Sequence, residues 1–139
     1  MTIRLATLAD QNQAVKLLLN SHKAADLPFP TSAAWALALF KACVNDDDKI
    51  AIIKDGGILL GVVGNSFLGP HKQASEIAWW VEPDKRGNSL EMLSMYENWA
   101  KEKGAILIEM KSLSKFPQIE KVYGRLGFTP AETSWIKVV

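Results

Sequence analysis

The stretch that most restricts the fold is "KIAIIKDGGILLGVVGNSFL", residues 49 to 68. Two apolar runs rich in Ile, Leu and Val flank Asp55-Gly56-Gly57, residue types that accept positive φ, and this predicts an antiparallel hairpin. Whatever else the chain builds has to be added to that pair of strands.

On the N-terminal side, "TIRLATL" alternates Ile3 and Leu5 about Arg4 and reads as a strand. Thr7 and Asp10 have the form of a capping box, and Ala14, Val15, Leu17 and Leu18 then recur at helical spacing up to "NSHK". Pro28 and Pro30 interrupt the chain, because each lacks an N–H and fixes φ. From Thr31 or Ser32 a second helix, "AAWALALFKACV", is apolar nearly all round, so it is either buried on both sides or faces a ligand or partner. Beyond the hairpin, "GPHKQ" is a loop and "SEIAWWV" a strand. A helix from about Asn88 to Lys103 is expected to bury Leu90, Leu93, Tyr96 and Ala100, flanked by Met92 and Trp99, and to stop at Gly104. "AILIEM", 105 to 110, reads as a strand covered on both faces. Ile119, Val122, Tyr123 and Leu126 mark a last helix with Pro117 in its first turn, Gly127-Phe128 a Schellman end, and "TSWIKVV" a closing strand. The order β-α-α-β-β-β-α-β-α-β predicts one α/β (α+β) domain over 1–139, a mixed central sheet flanked by helices.

Composition narrows the function classes. Sixteen basic against fifteen acidic residues give a net charge of +1, which provides no broad attraction to nucleic acid or to a membrane surface. Any anion site must be local. The single cysteine, Cys43, excludes an intrachain disulfide and reads as core filler in a reducing compartment. "MTIRLATLAD" lacks the apolar core of a signal peptide and no apolar run has membrane-spanning length, so a cytoplasmic location is expected. His22 and His71 lie beside loops with no paired acid or metal ligand nearby, and read as incidental. No metal site is expected.

At "VEPDKRGNSLEM", a strand meets a helix through a charged turn. Such a corner aims backbone N–H groups and the positive helix end at whatever sits in it, a ready anion site. Asn88 and Glu91 also fit a helix-capping pair, a role compatible with anion binding. The turn, together with "VYGRLGF" downstream and the element order, resembles the GNAT superfamily of acyl-CoA-dependent N-acetyltransferases over essentially the whole chain. The resemblance implies acetyl-CoA as co-substrate and a primary amine as acceptor. It matches Val81, Pro83, Arg86 and Gly87 to the family's pyrophosphate-binding turn, Glu76 to its strand glutamate, and Tyr123, four residues before Gly127, to its tyrosine. Ser89 and Glu91 stand where the family has its second and third glycines. A carboxylate 6 Å from phosphate at an effective dielectric of 20 would be repelled by up to about 3 kcal/mol. The family's asparagine two turns before the tyrosine is absent, and the eleven residues after Phe128 (129–139) are fewer than its usual closing pair of strands needs.

Each candidate residue has a bland reading beside the chemical one. Glu76 is a solvated strand carboxylate or a base; a lysine-like ammonium needs one, since losing its proton at pH 7 costs roughly 4.6 kcal/mol. Strand alternation groups Glu76 with Ala78 and Trp80, opposite Ile77, Trp79 and Val81. Tyr123 is a core tyrosine or, with the resemblance, a hydrogen-bond donor to the departing thiolate; a phenol near pKa 10 is too weak to protonate a thiolate near 8.5 without cost. Val81 would act through its N–H, polarising the acetyl carbonyl. Trp80, Val81, Arg86, Gly87, Asn88, Ser89 and Leu90 form the expected cofactor-binding stretch, with Ser89 Oγ a further donor to phosphate. The loop 20–32 and the second helix would shape the acceptor site. A catalytically silent acyl-CoA-binding module, and an interaction protein using helix 32–44 or the C-terminal edge to form a homodimer, stand as rival readings.

Overall fold

The computed structural model describes residues 2–139. Its sheet has five strands in spatial order β1 (Arg4–Leu5), β2 (Lys49–Lys54), β3 (Gly57–Asn65), β4 (Lys72–Val81) and β5 (Leu107–Glu109). The first four are antiparallel neighbours, and β5 lies parallel to β4. The β2–β3 hairpin forms as expected: Lys54 stands opposite Gly57, and Gly56 takes φ +70° in the two-residue turn. Two helices, α1 (Gln11–Ala25) and α2 (Ala33–Asn45), cover one face, and α3 (Leu90–Glu102) covers the other.

This layering explains the unbroken apolar run in β2. Ala51 and Ile53 pack with Leu17, Phe40 and Cys43 beneath α1 and α2, while Ile50 and Ile52 pack with Met92, Leu93 and Tyr96 beneath α3. Side chains of successive strand residues point to opposite faces, so a strand between two helical layers is apolar throughout. Ser32 Oγ accepts the Trp35 N–H at 3.1 Å and starts α2. Ala36, Phe40 and Cys43 of α2 are buried while Ala33, Ala34, Trp35 and Ala38 are exposed, so the helix is not enclosed and keeps an apolar outer face. Cys43 is core filler, its thiol pushed up to about 11 by burial.

At the C-terminal end of α4 (Ile119–Arg125), Gly127 takes φ +89°. Phe128 N donates to Tyr123 O at 3.0 Å and Gly127 N to Gly124 O at 3.2 Å, the two bonds of a Schellman motif. The Phe128 ring lies 5.5 Å from that of Tyr123.

Four expectations fail, each for a physical reason. "TSWIKVV" is not a strand: residues 129–139 are exposed and outside the sheet. With no strand beyond it, β5 is an edge, and "AILIEM" is not covered on both faces; Ile106 is 72% exposed. Leu90 begins α3 half-exposed instead of buried. Asn88 and Glu91 do not cap that helix, because Ser89 occupies the N-cap and the Asn88 side chain is engaged elsewhere.

Candidate active site

Two irregularities of β4 create the site. Its pairing with β5 ends at Ser75 opposite Glu109, while β4 itself runs on to Val81. The strands therefore part, and residues 76–81 have no strand neighbour on that side. On the other side, Leu60 pairs with Ala78 but Gly61 with Glu76, leaving Ile77 as the extra residue of a β-bulge. The bulge reverses the alternation expected from sequence. Glu76 shares the α3 face with Trp79 and Val81, whereas Ile77, Ala78 and Trp80 pack toward α1 and α2. The pairing with Gly61 fixes this orientation: a Cβ on Gly61 would meet the Tyr96 ring of α3 at 2.6 Å.

Glu76 is buried, 6% exposed. Burial pushes its carboxyl up to about 7, opposed by the charge and backbone N–H of Lys111 and reinforced by Glu109. Its one hydrogen bond is long, accepted at Oε1 from Lys111 N at 3.5 Å. The carbonyl of the same residue, Lys111 O, accepts the Tyr123 hydroxyl proton at 2.9 Å. Burial, then the charge of Glu76, raises the Tyr123 phenol, so it stays protonated and donates. One residue thus holds both expected groups through its main chain. Lys111 carries no sequence signal for this role, which arises only because the chain leaves the sheet just past Glu109.

Val81 N–H also faces the opening. Glu82 N donates to Gly56 O at 2.8 Å while Gly57 stands opposite Val81, which makes Gly57–Val81 a non-hydrogen-bonded pair. The amide and carbonyl of Val81 then point away from β3. The carbonyl accepts Arg86 Nε at 2.9 Å, and the guanidinium lies 5.2 Å from the Trp80 ring centroid. Among the described residues, the Arg86 Nη groups make no hydrogen bond.

The turn 83–88 is a 3-10 segment leading into α3. Leu90 and Glu91 N–H, at the head of the helix, have no backbone acceptor among the described residues. Nothing lies within 4 Å of a Cβ added to Gly87, and Glu91 is exposed. Ser89 Oγ donates to Arg86 O at 2.7 Å, so its proton serves the turn. Asn88 Oδ1 accepts from Lys54 Nζ at 2.6 Å, and Lys54 Nζ also donates to Lys85 O. Lys54, 4% exposed at the end of β2, is a buried cation beneath the turn that sequence reading missed.

A cavity of about 550 Å³ joins these parts, lined by Glu76 through Val81, Arg86, Ser89, Leu90, Lys111 and Tyr123, and by residues of α1, α2 and α4. His22 belongs to it, contrary to its incidental reading, and packs edge-on against Phe29 with ring centroids 5.4 Å apart. The Trp79 and Trp80 indole nitrogens and His22 Nε2 are buried without a partner among the described residues.

No protein-family model and no curated protein matches the sequence. Solved structures do resemble the chain. A transcriptional regulator from Bacillus halodurans C-125 superposes with TM-score 0.80 at 20% identity, covering 99% of each chain. An aminoglycoside antibiotic 6′-N-acetyltransferase from Acinetobacter haemolyticus gives 0.76 at 15%, covering 100% of this chain and 98% of its own. A GNAT family acetyltransferase from Staphylococcus aureus gives 0.67 at 18%, covering 99% and 98%. By these superpositions the chain, a five-stranded mixed sheet with helices on both faces, has the fold of that 6′-N-acetyltransferase and of that GNAT family acetyltransferase.

Proposed function

We propose that the protein is an N-acetyltransferase that moves an acetyl group from acetyl-CoA to a primary amine by direct attack in a ternary complex. The observation that carries this reading is the convergence, where β4 and β5 part, of a buried carboxyl, a phenolic donor and an outward-facing strand amide. The anion corner fits the co-substrate: Arg86 Nη groups and the Leu90 and Glu91 amides are free donors beside an uncrowded Gly87. Trp80, Asn88 and Ser89 support that corner, Trp80 beneath the guanidinium and the other two through the bonds that hold the turn.

Acetyl-CoA supplies the activated thioester. Glu76, with a pKa of about 7, is about half ionised at neutral pH and takes the proton of the incoming ammonium. The amine nitrogen forms the new C–N bond as the C–S bond breaks and the electron pair leaves on sulfur; the second proton that the nitrogen sheds on becoming an amide passes to the thiolate or to solvent. Val81 N–H polarises the acyl oxygen. The raised phenol of Tyr123 hydrogen-bonds the sulfur instead of protonating it outright, exchanging Lys111 O for the developing anion.

Calorimetric titration with acetyl-CoA, followed by thiol-release assays over an amine panel, tests the proposal. Saturable binding with amine-dependent thiol release is expected. Binding without release from any amine would instead make the protein a silent acyl-CoA-binding module, and absence of binding to the folded protein overturns both.

A further inference from the structure

Away from the phosphate turn, the cavity continues between α1, α2 and β4. Leu18, Leu27, Trp35, Leu39, Ile77 and Ala78 wall this part. Glu76 is the single carboxylate in the whole lining among the described residues, and the charged groups that accompany it, Arg86 and Lys111, are cations. Asp26, between the lining residues Ala25 and Leu27, is not part of the lining and is paired with Lys115, 3.5 Å away.

We infer that the acceptor is a monoamine with a bulky apolar body of aromatic size, and that polyamines and aminoglycosides are rejected. This rests on the acetyl-transfer reading and specifies its acceptor. One ammonium finds its counter-charge at Glu76. A second, a few bonds further along the same molecule, would lie against largely apolar walls whose polar members, Ser21, His22 and Thr31, include no carboxylate, where a charge without a counter-charge is strongly disfavoured. Lys111, whose main chain meets Glu76, adds a like charge to the lining. An apolar body, by contrast, displaces water from apolar walls, and each matched methylene is worth about 10-fold or more in kcat/KM. Trp35 fits this role: it lines the cavity yet is 63% exposed, so its indole has surface left for a ligand to cover.

Calorimetry at pH 8, where Glu76 is ionised, compares 2-phenylethylamine, ethylamine, 1,4-diaminobutane and kanamycin, with thiol release from acetyl-CoA measured in parallel. 2-Phenylethylamine is expected to bind at least about 10-fold more tightly than ethylamine, with no measurable binding of the diamine or kanamycin. In Trp35→Ala the preference for 2-phenylethylamine over ethylamine should shrink. In Leu27→Asp, which places a carboxylate on the wall, binding of the diamine should appear. Binding or acetylation of the diamine or kanamycin as good as that of 2-phenylethylamine overturns the inference, and so does failure of every amine to bind. Selective binding of 2-phenylethylamine without thiol release from any amine would leave the selectivity standing and overturn the acetyl-transfer reading alone.

Discussion

Glu76 holds its proton up to about pH 7 in the fold, whereas a carboxyl of this type in an unfolded chain releases it near 4.5. Between those values the native state binds more protons, so this group's contribution to stability is fully present below pH 4.5 and is lost as pH rises through 7. The loss is at most about 3 kcal/mol. Glu76→Gln keeps the shape without the charge; thermal melts are expected to show it above the wild type at pH 8 and level with it near pH 4. Turnover runs the other way, because the base must be ionised: acetyl transfer should rise as pH passes 7, and the glutamine variant should lack that limb. An unaltered pH profile would assign the proton to solvent. Tyr123→Phe removes one hydrogen bond, to Lys111 O, and should cost about 1 kcal/mol of stability. Its kcat should fall roughly 10- to 1000-fold, and wild-type turnover would take the hydroxyl out of the mechanism.

The turn 83–88 behaves as an element with a buried foundation. Lys54 Nζ reaches it from β2 and holds Lys85 O and Asn88 Oδ1 together. Lys54→Met leaves both acceptors without their donor; urea titration should show about 1–3 kcal/mol of lost stability, and calorimetry a weaker acetyl-CoA complex. Arg86→Ala removes the bond to Val81 O and the cover over Trp80 but strands no buried donor, so it should weaken acetyl-CoA binding by about 1–3 kcal/mol while lowering the melting temperature less than Lys54→Met does. Equal melting losses in both variants would contradict this division. The hairpin, the Ser32 start of α2 and the Schellman end were readable because each is specified by neighbours in sequence. The strand-to-helix corner at 81–90 was readable for the same reason. Lys54 and Lys111 were not: each acts across the fold on a partner chosen by topology, and Lys111 acts through main-chain atoms common to every residue. The pattern of "TSWIKVV" was strand-like, but pairing needs a neighbour, and alternation alone does not supply one.

At the scale of the whole molecule, the sheet ends at β5, a short strand with one free edge, and the exposed chain beyond Phe128 carries Trp135 at 90% and Ile136 at 57% exposure. Free backbone donors beside an apolar, β-prone segment favour pairing between copies. Light scattering at micromolar concentration should therefore give twice the 15.3 kDa chain mass, and Ile136→Lys should restore the monomer; a wild-type monomer overturns the expectation. The bulge in β4 reaches further than its size suggests. Ile77 acts on the pleat as a frameshift acts on a reading frame: every side chain on one side of it is exchanged between faces relative to the other. What the fold must preserve there is a count and not an identity. Many residues could replace Ile77, but a chain that lost the position would turn Glu76 toward α1 and α2, or else the whole segment that follows it, and bring the carboxyl and the Val81 amide out of register.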